Sequence, residues 1–210
     1  AASRRHCLTD RAGFWQPWVE CVSGLRPLPA AAADHGPAPW QLGANTWQPL
    51  ADGGYLASWC EAGFGRLGIR NGAGEWRDFT GAYSRFRSLA LDEERLYAVA
   101  ASPLAPAAVI AIDRQGGSVH ILAGGSAPLP AERISQPQPL RYPSGNGEAH
   151  GFFYPPSDGA TKPPLLVFVH GGPTSACYPV FDPRIQFWTQ RGFAVADLNY
   201  RGSSGNGRAY

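Results

Sequence analysis

The 210-residue sequence predicts part of a β-propeller followed by the opening of an α/β domain. Three observations carry that expectation. A four-strand pattern recurs at a spacing of 42–43 residues. Gly and Pro (26 and 20 residues) are dense without a short period, which fits a turn-rich β protein. After a proline-rich break the pattern changes to strand, helix, strand.

The first stretch, Asp10 to Leu28, reads as the tail of a preceding blade. Two fuller units follow. Tyr55 and Tyr97 are 42 apart, whereas Ile69 and Ile112, Trp76 and Val119, and Gly81 and Gly124 are each 43 apart. The turns Asn71–Gly74 and Arg114–Gly117 hold equivalent places. In the second unit strands are expected at Leu96–Ala101, Ala108–Asp113 and Ser118–Leu122, with preceding strands near Thr46–Leu50 and Ser88–Leu91. Four strands in 40–45 residues is the period of a propeller blade. A sandwich of the same short strands is the structural alternative. The acidic run Asp92-Glu93-Glu94 reads as a solvated turn.

Between Gly124 and Pro143 the prolines at 128, 130, 137, 139 and 143 break helices and remove ladder donors, so an extended connector is expected. Beyond it, Ala149–Tyr154 is a candidate strand. Leu165–Val169 is a continuous apolar run, as in a strand buried on both faces. A helix follows, with Asp182 as N-cap, Pro183 at its first position and Gly192 past its end. Phe193–Tyr200 completes a βαβ unit, the signature of parallel strands. The resulting division is 1–125, 126–147 and 148–210.

Composition excludes several functions. The net charge is +2 and the basic residues, all Arg except Lys162, are scattered, so neither nucleic acid nor a membrane surface has an electrostatic footprint. No apolar run reaches the 18 residues of a membrane span. Cys7, Cys21, Cys60 and Cys177 lack metal-ligand spacing and read as free thiols in a reducing compartment. His120 and His150 have no partner at such spacing either, and no metal is expected. The chain has no Met and begins Ala1-Ala2-Ser3. Some two and a half blades do not close a ring of four to eight. A piece of a longer protein is therefore expected.

The segment richest in chemistry is His170-Gly171-Gly172-Pro173, directly after the apolar strand. Paired glycines at a strand's C-terminal end let backbone N–H groups approach a ligand. Together with Pro163–Thr174, Gln186–Val195 and Asn199–Gly205, and with Gln136–Pro143 upstream, this segment resembles the prolyl oligopeptidase family of serine peptidases, especially its acylaminoacyl-peptidase and dipeptidyl-aminopeptidase-like branch. The resemblance covers nearly the whole chain and is strongest over 130–208.

It implies an α/β-hydrolase domain beneath a propeller that restricts access, a Ser-His-Asp triad, short peptide substrates, no cofactor and a bacterial cytoplasmic setting. It implies that the Gly172 N–H lines the oxyanion hole, with His170 and Gly171 bordering the substrate. His170 stands where other branches carry a Tyr, and Asn206 where the family usually has one. No G-x-S-x-G elbow occurs in the chain, and Ser203 and Ser204 do not have that spacing. The triad is therefore expected beyond residue 210, and these residues alone are expected to be inactive. Two other readings remain open: an esterase on the same scaffold, or a non-catalytic propeller module that binds a partner.

Overall fold

The structure, a computed structural model, describes residues 5–38, 40–172 and 174–210. The opening Ala1-Ala2-Ser3 and Pro173 of the His-Gly-Gly-Pro segment lie outside the described residues. The first sheet is an antiparallel meander of β1 (His6–Thr9), β2 (Gln16–Cys21) and β3 (Gly24–Pro27). Two four-stranded antiparallel sheets follow. One runs in order β4 (Trp47–Pro49), β5 (Tyr55–Glu61), β6 (Phe64–Arg70) and β7 (Trp76–Asp78). The other contains β8 (Arg85–Leu91), β9 (Arg95–Ala101), β10 (Ala108–Asp113) and β11 (Val119–Gly124). These are propeller blades, at the repeat the sequence predicts. β8 begins at Arg85 rather than Ser88, because the strand continues through Arg85-Phe-Arg87 before a bulge.

Alternation along β9 buries Leu96, Ala98 and Ala100. They pack with Leu56, Leu67 and Ile69 of one blade and Ile110 and Ile112 of the other in a shared core. Asp92 caps the β8–β9 turn by accepting from the Glu94 and Arg95 N–H groups and from the Tyr97 hydroxyl, so the acidic run is a satisfied turn.

The last sheet runs β12 (Gln138–Ser144), β13 (Gly147–Tyr154), β15 (Ala194–Asn199), β14 (Leu165–Val169). β14 and β15 are parallel and are joined through helix α1 (Pro183–Thr189). β12 corrects the reading of residues 124–143 as connector throughout. The prolines did not prevent a strand because β12 is an edge: Pro139 and Pro143 have the same parity, so their missing donors fall on one side. Asp182 caps α1 by accepting from the Arg184 N–H at 2.8 Å, and Gly192 has φ +80°. Ile185 is buried with Phe152, Tyr154 and Val195. Gln186, which sequence gave no reason to bury, accepts from the Ser135 N–H and donates to its carbonyl, both at 2.9 Å. That pair fixes the helix to the segment that enters β12. Phe64 at the start of β6 stacks edge-on against Phe152 at 5.7 Å, joining the blades to this sheet.

β14 also departs from expectation. Leu166 and Phe168 pack on the core, but Leu165, Val167 and Val169 are 54%, 53% and 61% exposed. The strand is at the sheet edge and nothing among the described residues covers that face. An open apolar edge is a template for association. Expressed by itself, the 210-residue chain is expected to self-associate as its concentration rises in sedimentation velocity; a concentration-independent monomer with a cooperative melt would contradict this.

Candidate functional site

The site is built where β14 ends. Its last residue, Val169, delivers His170, Gly171 and Gly172 at the C-terminal edge of a parallel strand pair, the usual place for a ligand in an α/β sheet. Gly171 and Gly172 are exposed, and neither N–H has an acceptor among the described residues. A Cβ on Gly171 would meet nothing, whereas a Cβ on Gly172 would lie 2.8 Å from the Tyr200 hydroxyl. Gly172 is thus required for space and not for an unusual φ.

The loop is braced by the segment after β15. The His170 ring stacks on Tyr200 at 4.5 Å between centroids, and the Tyr200 hydroxyl donates to the His170 carbonyl at 3.3 Å. His170 Nδ1 donates to the Gly171 carbonyl at 2.8 Å, which leaves Nε2 to accept from Ser203 Oγ at 2.7 Å. A Ser–His contact of that length resembles a nucleophile with its base. Ser203, however, is only 3% exposed, and the ring is oriented by a backbone carbonyl rather than by a carboxylate. The contact holds the glycine loop in place. Asn199 clamps the same loop further along, accepting from the Cys177 N–H at 2.8 Å and donating to its carbonyl at 3.1 Å. Ser204 donates its N–H to Ser175 O at 2.9 Å. The segment 199–205 is therefore a scaffold for the segment 170–177. Its residues were recognisable as a motif in the sequence, but the 33-residue gap between His170 and Ser203 carried no signal of their contact.

The blades approach from the other side. Asp34 accepts from the Trp15 N–H through Oδ1 and from the Gly207 N–H through Oδ2, Ser84 Oγ donates to the Pro179 carbonyl at 2.6 Å, and Trp40 Nε1 donates to Thr174 Oγ1 at 2.7 Å. Between blades and loops lies a cleft of about 280 Å³, bordered by Gln41, Ser58, Cys60, Arg85, Tyr178 and Gly205. Burial raises the Cys60 thiol to about 11 and the Cys177 thiol further, so neither is a ready nucleophile at neutral pH. All four cysteines are free thiols. Among the described residues no group of three His, Cys, Asp or Glu side chains could hold a metal, and no helix is long and apolar enough to cross a membrane. His120 is exposed on β11 and His150 stacks on Tyr210, away from the glycine loop. Asn206 falls in the turn leading to Gly207.

No family model matches the chain. Among solved structures it is similar over its full length to a puromycin-hydrolyzing peptidase of Mycobacterium tuberculosis, at 29% identity and TM-score 0.90, and to a puromycin hydrolase at 31% identity and TM-score 0.87. It covers 34% of each of those chains. One of two prolyl endopeptidases shares the fold, at 17% identity and TM-score 0.77. An uncharacterized peptidase of Bacillus subtilis (strain 168), YuxL, is 26% identical over 126 residues, which are 59% of this chain and 19% of that protein. The chain thus spans about a third of the solved relatives and less of the curated one. Blades followed by the opening strands of a hydrolase-type sheet, in the order and with the similarity of these peptidases, are what the chain shares with them: it is similar to peptidases of the prolyl oligopeptidase family.

Proposed function

We propose that the chain is part of a serine peptidase that hydrolyses short peptides, in the manner of an oligopeptidase or an acylaminoacyl- or aminopeptidase. The Ser-His-Asp triad lies in sequence beyond residue 210, and residues 1–210 alone are inactive. The observation that carries this reading is the pair of exposed Gly171 and Gly172 N–H groups, without an acceptor among the described residues, on a loop braced by His170, Tyr200 and Ser203. A donor of that kind is useless to a ground-state carbonyl alone. It acts as a serine attacks the scissile carbon and negative charge grows on oxygen; the fixed Gly172 N–H meets that charge without reorganising, for about 3 kcal/mol. The acyl-enzyme is then hydrolysed by water, and no cofactor or metal is needed.

In this reading residues 1–125 form part of the propeller, the link is shortened from 126–147 to the residues before β12, and the catalytic domain starts with β12 and β13 and runs through 148–210. His170 and Gly171 border the substrate, and the protein works in the bacterial cytoplasm. The uncovered edge of β14 is where the hydrolase sheet continues. The test is on the natural gene product. A denaturing mass several-fold above 22.5 kDa, labelling by a fluorophosphonate, and turnover of an aminoacyl-anilide support the reading. Failure to label overturns it, and cleavage of a p-nitrophenyl ester but no anilide replaces it with an esterase.

A further inference from the structure

We infer that the cleft between β8 and the loops at 174–178 and 201–207 binds a carboxylate of the peptide substrate, held by Arg85 and Arg87. The substrate class rests on the peptidase reading above; the anion site rests on the geometry.

Arg85 and Arg87 are two residues apart on β8, hence on one face of the strand, and both line the cleft. The Arg85 guanidinium lies 3.7 Å from the centroid of the Tyr178 ring. Burial pulls its pKa below the ordinary arginine value and the neighbouring Arg87 charge adds to that, yet an arginine keeps its proton. Arg5, Arg66, Arg141, Arg184 and Arg208 each pair with a carboxylate. Arg85 and Arg87 have neither an ion pair nor a side-chain hydrogen bond among the described residues. The carboxylate bordering this cleft, Asp34, has both oxygens engaged by backbone N–H groups and pairs with neither arginine. A half-desolvated cation beside a second one, with no counter-charge, is unfavourable in the free protein and is relieved by an anion.

Two further features mark the cleft as built for a ligand. Ser88, which lines it, has φ +54° in the bulge between Arg87 and Ala90, a strained position for a residue with a side chain. His35, also lining it, is 1% exposed and donates Nδ1–H to the Ala33 carbonyl, while its buried Nε2 has no partner. Arg85 and Tyr178 also line the adjoining cleft that contains Val169 and His170. A carboxylate held at Arg85 therefore belongs to a molecule that can extend to the glycine loop. Arg offers a planar, two-pronged donor that matches a carboxylate.

The carboxylate is either a peptide's C-terminus or an acidic side chain. The experiment compares Ala-Ala-Ala, Ala-Ala-Ala-amide and Ala-Ala-Asp-amide, each also in an N-methylated form that cannot be cleaved, with the natural gene product. Hydrolysis gives KM and calorimetry on the N-methylated forms gives Kd. One of the two carboxylate-bearing peptides is expected to bind about tenfold more tightly than the plain amide. Preference for the acid assigns the C-terminus, and preference for the Asp peptide assigns a side chain. Arg85→Met and Arg87→Gln are each expected to remove most of that preference; Arg87 is exposed, so its replacement leaves the fold intact. Equal affinity for all three peptides in a protein that labels with a fluorophosphonate overturns the carboxylate site and leaves the peptidase reading standing. Carboxylate-selective binding in a protein that neither labels nor cleaves does the reverse.

Discussion

If the Gly172 N–H is the oxyanion donor proposed above, Gly172→Ala is expected to lower kcat of the natural gene product by about a hundredfold with little change in KM, because such a donor acts only in the transition state. The alanine keeps the backbone N–H, so the effect comes from displacement. Its Cβ would lie 2.8 Å from the Tyr200 hydroxyl, and that ring is not free to swing away. It stacks on His170 at 4.5 Å and donates to the His170 carbonyl. Moving Tyr200 moves His170, and with it the Nε2 contact to Ser203 that holds the loop. Tyr200→Phe removes the colliding oxygen and leaves the stack. Tyr200→Phe alone is therefore mild, and the double variant recovers much of the lost kcat, a coupling that a double-mutant cycle reads directly. Wild-type kcat in Gly172→Ala would mean that the glycine loop does not face the developing charge.

What could be read from sequence followed the density of local information. Leu165–Val169 and Ala108–Asp113 have the bounds the sequence predicts, because β-branched and apolar runs stop abruptly at turn residues. β12 was hidden because proline reports on ladder donors and not on which side of a strand faces a partner; only the sheet order makes Pro139 harmless. β8 was foreshortened because Arg85 and Arg87 are poor strand markers until a cleft is seen beside them. The exposed face of β14 was misread for a related reason. An apolar run states what a strand can bury, and nothing among the described residues covers that face. At the site, the His-Gly-Gly segment was legible because a short motif carries it. The bracing by Tyr200 and Ser203 and the clamp of Asn199 on Cys177 were not, since they join segments that only the parallel pairing of β14 with β15 brings together.

Asp197→Asn is expected to stabilise the protein at neutral pH and to flatten its stability between about pH 4 and pH 6. Asp197 lies in the middle of β15, opposite Phe152 on β13 and Phe168 on β14. Burial raises its carboxyl to about 6, and the charge of Asp182 adds to the shift. The folded pKa is thus above the unfolded value near 3.8, the reverse of a salt-bridged acid. Between those two values the folded protein holds a proton that the unfolded chain has released, so stability falls as pH rises through that window. Above about pH 6 both states are ionised and the whole penalty is present. Below about pH 4 both are protonated and none remains. The shift corresponds to ~3 kcal/mol at most. Residual solvent contact reduces that to about 1–2 kcal/mol. The neutral amide has the same shape and no charge to desolvate, so the variant should melt several degrees above wild type at pH 7.5 and within a degree of it at pH 4. An equal offset at both pH values would assign the effect to packing, and a lower melting temperature at pH 7.5 would mean that the Asp197 carboxylate has a counter-charge in the intact protein.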